Sequence, residues 1–410
     1  MSVPPAPRNR LRGASTPPHI ATLVVLAGAS VMAMNIFLPM LPTIAEELNT
    51  TPAMAQYVVT LFLAATGISQ LFIGPMADRY GRRPVLLAAM GVFIVATLVC
   101  IFATTIEMLL MGRTFQASTA ACMALSRAIL RDLFDRSKAA SMIGYVTMAM
   151  AVIPMISPTL GGVLGEAYGW RSPFVTLLIV GLIMFALIWF DLGETHKPSS
   201  SSMRAQLTDY RSLLKEPVVW GYFICSSLGS GAYFAFLGGA PFVGDKVLGL
   251  TPSALGLYFA FVAVGYMFGN FLSGRFSERI GIEPMMFYGG LVASIGVATS
   301  LTLMSLLEPH ATYLFLPMML VGMGNGMTLP NANAGAISVR PDLAGSASGL
   351  GGFLQIGGGA ALAALSGVLI SEANQGMPLY IIMFFSSLSS AVVAWLMFRH
   401  SRKAGVIETV

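Results

Sequence analysis

The chain has 410 residues, 10% charged and 56% hydrophobic, with a mean hydropathy of +0.76. A soluble globular protein carries roughly a quarter charged residues, so a water-facing surface cannot be assembled from this composition and a soluble enzyme is excluded. At about 20 apolar residues per membrane crossing, the chain accommodates around twelve crossings and leaves no room for a large catalytic or nucleic-acid-binding module.

Apolar runs bounded by charge, Gly or Pro predict helical spans near 20–43, 54–77, 84–105, 108–130, 139–165 and 173–191, then near 217–239, 252–274, 284–307, 311–334, 346–370 and 378–398. The runs are too long and too unalternating for barrel strands, and backbone groups in lipid must be satisfied internally, so helices are the expected element. Arg8, Arg10 and Arg12 precede the first run as they would a secretory signal. Its length, Asn35, Pro39, Pro42 and the lack of a small-residue cleavage site predict a retained helix. Cys100, Cys122 and Cys225 lie inside apolar runs without metal spacing and read as small buried hydrophobes.

Basic residues test the direction of these spans. Of the 23 Lys and Arg, only Arg171 and Lys246 fall in loops on one side, Arg113 and Arg127 lie within span 4, and all others lie on the opposite side. This asymmetry predicts both termini in the cytoplasm. The polar stretch 193–216, with its serine run Ser199 to Ser202, divides the spans six and six. The expected organisation is a tail (1–19), a six-helix bundle (20–192), a cytoplasmic linker (193–216), a second bundle (217–398) and a tail (399–410).

The halves repeat. A shift of 200 residues aligns Thr51-Pro52 with Thr251-Pro252, each a helix N-cap and first-turn proline. It also aligns GPMADRYGRRP, Gly74 to Pro84, with GRFSERIGIEP, Gly274 to Pro284. A duplicated set of spans is a transporter architecture, with a pathway between the halves.

The loop with Gly74, Asp78, Arg79, Gly81, Arg82 and Arg83 resembles motif A of the major facilitator superfamily, and Gly274, Glu278 and Arg279 are its repeat. The resemblance implies an all-α membrane protein of two pseudo-symmetric six-helix bundles. It also implies that this loop latches the halves on the cytoplasmic side, with Asp78 expected near the N-terminal end of span 11 at Ala344 to Ser346. Span 4, with LLMGRTFQASTAA, resembles motif B through Arg113 and Gln116, with Ala117 in place of the usual glycine. Arg113 is expected to face the bundle interior. Span 5 resembles the antiporter motif through Gly144, Pro158, Gly161 and Gly162, with Ile153 and Ser157 replacing two usual glycines. With NIFLPMLPTIA in span 1, RAILRD in span 4 and PNANAGAI in span 10, the chain resembles the drug:proton antiporters, in particular the Bcr/CflA group named for bicyclomycin and chloramphenicol resistance.

That resemblance implies export of small amphipathic or polar compounds across a bacterial inner membrane, driven by protons and without ATP or a bound cofactor. A monomer is the expected assembly, surrounded by lipid, with no nucleic-acid partner and no metal. The chain departs from the group where Asn35 replaces a common aspartate. All eighteen acidic residues fall at span ends, loops or tails, so protons must use an edge carboxylate such as Asp78 or Asp132, or the substrate itself, or the chain is an importer or facilitator of the same fold. A lipid flippase and a membrane sensor are further alternatives; the tails are too short for a signalling domain. The expected cavity residues are Asn35, Arg113, Gln116, Tyr145, Tyr233, Asn325, Asn331, Asn333 and Gln355, while Phe62, Phe234 and Phe236 are placed outside the site. Arg113 without an acidic partner favours neutral polar or anionic substrates.

Overall fold

The structure is a computed structural model that describes residues 18–134, 136–195, 203–370, 374 and 376–403. It is helical throughout the described residues. Nine stretches among them are long and apolar enough to cross a bilayer without interruption. The other expected crossings are made by the broken pair α5 (Ile106–Gln116) and α6 (Ala120–Leu133), by α7 (Arg136–Tyr168), and by α14 (Ala311–Phe315) with α15 (Met318–Val339).

The breaks have local causes. Span 1 runs as α1 (Ile20–Asn35) and α2 (Leu41–Glu47), separated by a 3-10 turn at Leu38–Met40 that contains Pro39 and is followed by Pro42. Proline removes an amide donor and crowds the preceding turn, so the helix cannot continue unbroken. The continuous spans of this half are α3 (Pro52–Tyr80), α4 (Arg82–Ile101) and α8 (Ser172–Phe190). In the other half, α10 (Pro217–Phe242) ends in a π turn, Val243–Val247, just after Pro241, and is followed by α11 (Pro252–Tyr258), α12 (Ala260–Ile280), α13 (Ile282–Leu306), α16 (Ala344–Leu369) and α17 (Met377–Lys403).

The connection expected as a polar linker contains a helix, α9 (Met203–Leu213). Its residues are too polar for a span, but Met203, Leu207, Tyr210 and Leu213 recur at helical spacing, the pattern of an amphipathic surface helix.

The 200-residue repeat is visible in backbone conformation. Thr51 and Thr251 each cap their helix by accepting from the amide three residues on. Gly81 and Gly281 turn into α4 and α13 with φ of +95° and +96°. The all-α, two-bundle expectation is met. Helices α3 and α16 pack against each other across the bundle boundary, as do α7 and the α11–α12 pair. Phe268, Phe271, Phe385 and Leu396 are exposed, as suits a lipid-facing surface. All three cysteines are free and buried. Below, the end of the molecule carrying Asp78 to Arg83 is termed the basic face, and the end carrying Glu46, Glu47 and Glu166 the acidic face.

Candidate substrate pathway and gates

Arg113 occupies the last turn of α5 and is fully buried. Its Nε donates to the Val58 carbonyl at 3.2 Å, and Nη1 donates to the Ala33 carbonyl at 3.0 Å and to Gln116 Oε1 at 2.8 Å. Ala33 lies in the last turn of α1, where carbonyls lose their intrahelical partners, so the early end of that helix supplies the acceptor. The guanidinium is flanked by the rings of Phe37 and Phe62, with centroids at 4.0 and 4.2 Å. Gln116 is held in turn, its Nε2 donating to Thr97 Oγ1 at 2.8 Å. The charge is therefore stabilised by carbonyl dipoles and two π faces with no carboxylate. Arg113 Nη2 and Asn35 Oδ1 are buried without a hydrogen-bond partner among the described residues, while Asn35 Nδ2 donates to the Val31 carbonyl at 2.7 Å. Arg113, Gln116 and Asn35 thus lie within the packing of α1, α3 and α5. Phe62, placed outside the site on sequence, is part of this cluster.

At the acidic face the bundles meet through small residues. A Cβ on Gly161 would overlap the Ile36 carbonyl, and one on Gly162 would overlap the Pro252 carbonyl. A Cβ on Gly256 would meet the Pro158 carbonyl, so backbone lies on backbone from both sides. Thr159 Oγ1 donates to the Gly256 carbonyl at 3.1 Å, the Ser253 amide donates to Glu166 at 3.2 Å, and Lys246 pairs with Glu46 at 2.6 Å. Pro158, Gly161 and Gly162 are where α7 touches α1 and the opposite bundle at once. Gly144 and Tyr145 lie in α7, and their side chains fall outside the described residues.

On the basic face, Arg82 pairs with Asp78 at 2.8 Å and with Asp132 at 3.1 Å. The amides of Arg82 and Arg83 donate to Glu194 at 2.9 and 3.2 Å, so this carboxylate caps the N-terminus of α4. Gly81 has no Cβ where the Glu194 carboxylate sits. Arg83 also stacks on Trp189, and Arg79 on Tyr80. Asp78 therefore turns to Arg82 of its own bundle. At the start of α16, Asp209 of α9 accepts from Ser346 Oγ at 3.3 Å. Gln56 packs against Gly367 and Gln70 against Gly349 and Gly352, an antiparallel register of α3 and α16 that carries Asp78 toward the Ala344 end of α16, while its carboxylate pairs with Arg82. In the repeat, Gly274, Glu278 and Arg279 are exposed, and Glu278 and Arg279 have no ion-pair partner among the described residues.

The remaining candidates disperse. Asn331 Nδ2 donates to Ser273 Oγ at 2.8 Å and to the Met327 carbonyl at 2.7 Å, joining α15 to α12. Asn325 is buried with Nδ2 unpartnered among the described residues. Asn333 is exposed, and Gln355 and Tyr233 are half-buried. Tyr233 lies within electrostatic range of Tyr266 on α12, which in turn lies within range of Arg127 on α6. Arg127 and Tyr266 were not chosen on sequence, although an arginine well inside a span was signal enough. Gln56, Glu194 and Asp209 were missed because single polar residues near span ends carry no distinguishing pattern.

The sequence profile of the Major Facilitator Superfamily matches residues 23–363. The chain belongs to the major facilitator superfamily. It is 30% identical over 366 residues to "Multidrug resistance protein D" of Escherichia coli, covering 86% of this chain and 89% of the relative. It is 29% identical over 355 residues to a "Bicyclomycin resistance protein homolog" of Haemophilus influenzae, covering 84% and 88%. Among solved structures, a peptide transporter of the POT family superposes with a TM-score of 0.77, covering 97% of this chain and 96% of the other at 11% identity, a likeness of fold. As a member of the superfamily the protein is a multi-pass secondary transporter working by alternating access. It is not an enzyme, and ion gradients, with no bound cofactor or ATP, are the energy source typical of the superfamily.

Proposed function

We propose that the protein carries small polar or amphipathic molecules, neutral or anionic, across a bacterial inner membrane, with the basic face and both termini in the cytoplasm. The observation that carries this reading is the charge pattern of the interior: Arg113 is buried without a carboxylate, and no acidic residue lies midway along any described span. A lipophilic cation finds no counter-charge in such an interior. With no central acid to take up and release a proton, the geometry favours a facilitator or importer of metabolites. The contacts of Pro158, Gly161, Gly162 and Gln56 form the acidic-face gate, and the loop from Gly74 to Arg83 forms part of the opposite gate.

A second reading, proton-driven drug export of the Bcr/CflA kind, is supported by the relatives named for multidrug and bicyclomycin resistance. On this reading Asp78 or Asp132, or the substrate, moves the proton. Both readings are tested by transport in everted vesicles with and without a proton gradient, beside a susceptibility panel in an efflux-deficient host. Accumulation that survives collapse of the gradient, with no protection from any drug, supports the facilitator. Gradient-dependent accumulation with protection supports export. Absence of any flux sinks both.

A further inference from the structure

Helices α13 and α17 approach closely where Gly290 lies on Ala391, since a Cβ on Gly290 would overlap the Ala391 backbone. On one flank of that contact they leave a groove of about 180 Å³, lined by Phe287 and Leu291 of α13 and by Leu388, Ala391, Val392 and Trp395 of α17. Every lining residue is apolar or aromatic. Val392 and Trp395 are 47% and 38% exposed, so the groove opens outward from the protein.

The groove is one end of a longer stripe. Leu388, Val392, Trp395, Arg399 and Arg402 recur at intervals of four and three residues along one face of α17, so the apolar lining passes directly into two cations. Arg399 stacks on the Trp395 ring at 4.6 Å, and Arg402 on Phe398 at 5.5 Å. Both arginines are exposed, and neither has an ion-pair partner among the described residues. Glu283, one turn before Phe287, is turned toward α10, where it accepts from the Tyr222 hydroxyl at 2.7 Å. The indole Nε1 of Trp395 also lacks a hydrogen-bond partner among the described residues.

Whatever covers this face has to match both the apolar groove and the cations beyond it. From Trp395 to Leu388 the groove descends about 10 Å by helix rise, against about 15 Å for the hydrocarbon of one leaflet. A second copy of the chain stands the same way up in the bilayer, so a symmetric contact through this face would set Arg399 and Arg402 against their own counterparts. An anionic phospholipid complements both parts. Its acyl chain lies along the groove, and its phosphate, at the headgroup level where tryptophan is favoured, reaches the guanidinium donors and the indole N–H.

We propose that the groove between α13 and α17 is a binding site for an anionic phospholipid of the leaflet at the basic face, with its acyl chain against Phe287, Leu388 and Val392 and its phosphate held by Arg399 and Arg402. A zwitterionic lipid fits the groove as well, but its own ammonium group offsets the attraction of its phosphate for the two arginines. The site lies on the outer side of the second bundle and is independent of what the protein carries.

The test places the purified full-length protein in phosphatidylcholine vesicles and adds phosphatidylglycerol or phosphatidylcholine with brominated acyl chains, which quench a nearby indole. The protein has four tryptophans, and the signal of Trp395 is the part lost in Trp395→Phe. Phosphatidylglycerol is expected to quench this signal at about a five-fold lower mole fraction than phosphatidylcholine. Arg399→Gln combined with Arg402→Gln is expected to bring the two lipids level, and the paired lysine changes to restore most of the preference. Val392→Phe keeps both arginines and narrows the groove from an exposed position, so it is expected to reduce the preference by about two-fold or more. Equal quenching by the two lipids in the parent, a preference that survives loss of both arginines, or one untouched by Val392→Phe overturns the proposal. Absence of Trp395 quenching by either lipid overturns it too, and cross-linking through Val392→Cys then shows whether a second copy covers the face.

Discussion

Gln56 Nε2 donates to Ser366 Oγ at 3.0 Å, tying α3 of one bundle to α16 of the other inside the protein. The same nitrogen donates to the Ala363 carbonyl at 3.0 Å. The amide fits only because Gly238 on α10 and Gly367 on α16 leave its volume free. Two buried hydrogen bonds that must break when the bundles part are a built-in cost of opening the acidic face.

Gln56→Ala removes both bonds. At about 1 kcal/mol net for each bond, the equilibrium is expected to move by about ten-fold or more toward the state open at the acidic face. Spin labels at Ala53 and Ser253 report that opening as a longer distance. A distance distribution identical to that of the parent would show that the two bonds do not hold this gate.

The expected spans were legible because each is a long apolar run, and their ends moved by only a few residues in the structure. The repeat was legible because two glycines with the same left-handed φ need the same residue type at the same offset. What each polar side chain touches was not legible. Arg113 was read as facing a cavity because an intramembrane charge usually does, but Phe37, Phe62, Ala33 and Val58 come from segments remote in sequence and enclose it. Asp209 meets Ser346 at the start of α16 because α9 folds as a helix against that end, a contact between segments remote in sequence.

Gly81 and Gly281 give a controlled comparison, since both adopt φ near +95°. Alanine at either site meets the strain of a left-handed backbone, about 1–3 kcal/mol. At Gly81 the new methyl also collides with Glu194 and displaces it from the Arg82 and Arg83 amides, whereas at Gly281 the nearest atom is Pro284 Cδ at 3.5 Å. Gly81→Ala is therefore expected to lower thermal stability in detergent more than Gly281→Ala, by about 1 kcal/mol or more. In a double-mutant cycle with Glu194→Gln the two changes at the first site should fall short of additivity. Equal losses at the two glycines would show that the Glu194 cap contributes nothing.

The contact of α7 with α11 depends on close backbone approach. Gly162→Val places a branched side chain against the Pro252 carbonyl, and Gly256→Val does the same against Pro158. Either is expected to wedge the acidic face open and slow transport at least ten-fold, a cost of about 1.4 kcal/mol or more in the closed state. Because the wedge acts on one state, labels at Ala53 and Ser253 should separate while the melting temperature changes little. Wild-type turnover in both variants would mean that this interface does not have to close.

Arg113 decides between anchoring and substrate contact. If it is an anchor, Arg113→Ala leaves Gln116 Oε1 and the Ala33 carbonyl unpaired and opens space between Phe37 and Phe62, which predicts a loss of about 3–5 kcal/mol. Arg113→Lys retains charge and loses the planar fork that reaches three acceptors while stacking on two rings, so it should recover only part of that loss. Phe62→Leu keeps the site apolar and removes one π face, for a smaller cost of about 1–2 kcal/mol. The readout is the melting temperature of the solubilised protein without any substrate, in the order wild type, Phe62→Leu, Arg113→Lys, Arg113→Ala. A substrate-contacting arginine that bears no structural role would leave that series flat and lose only transport. A graded fall with no ligand present identifies Arg113 as the cation around which α1, α3 and α5 are packed.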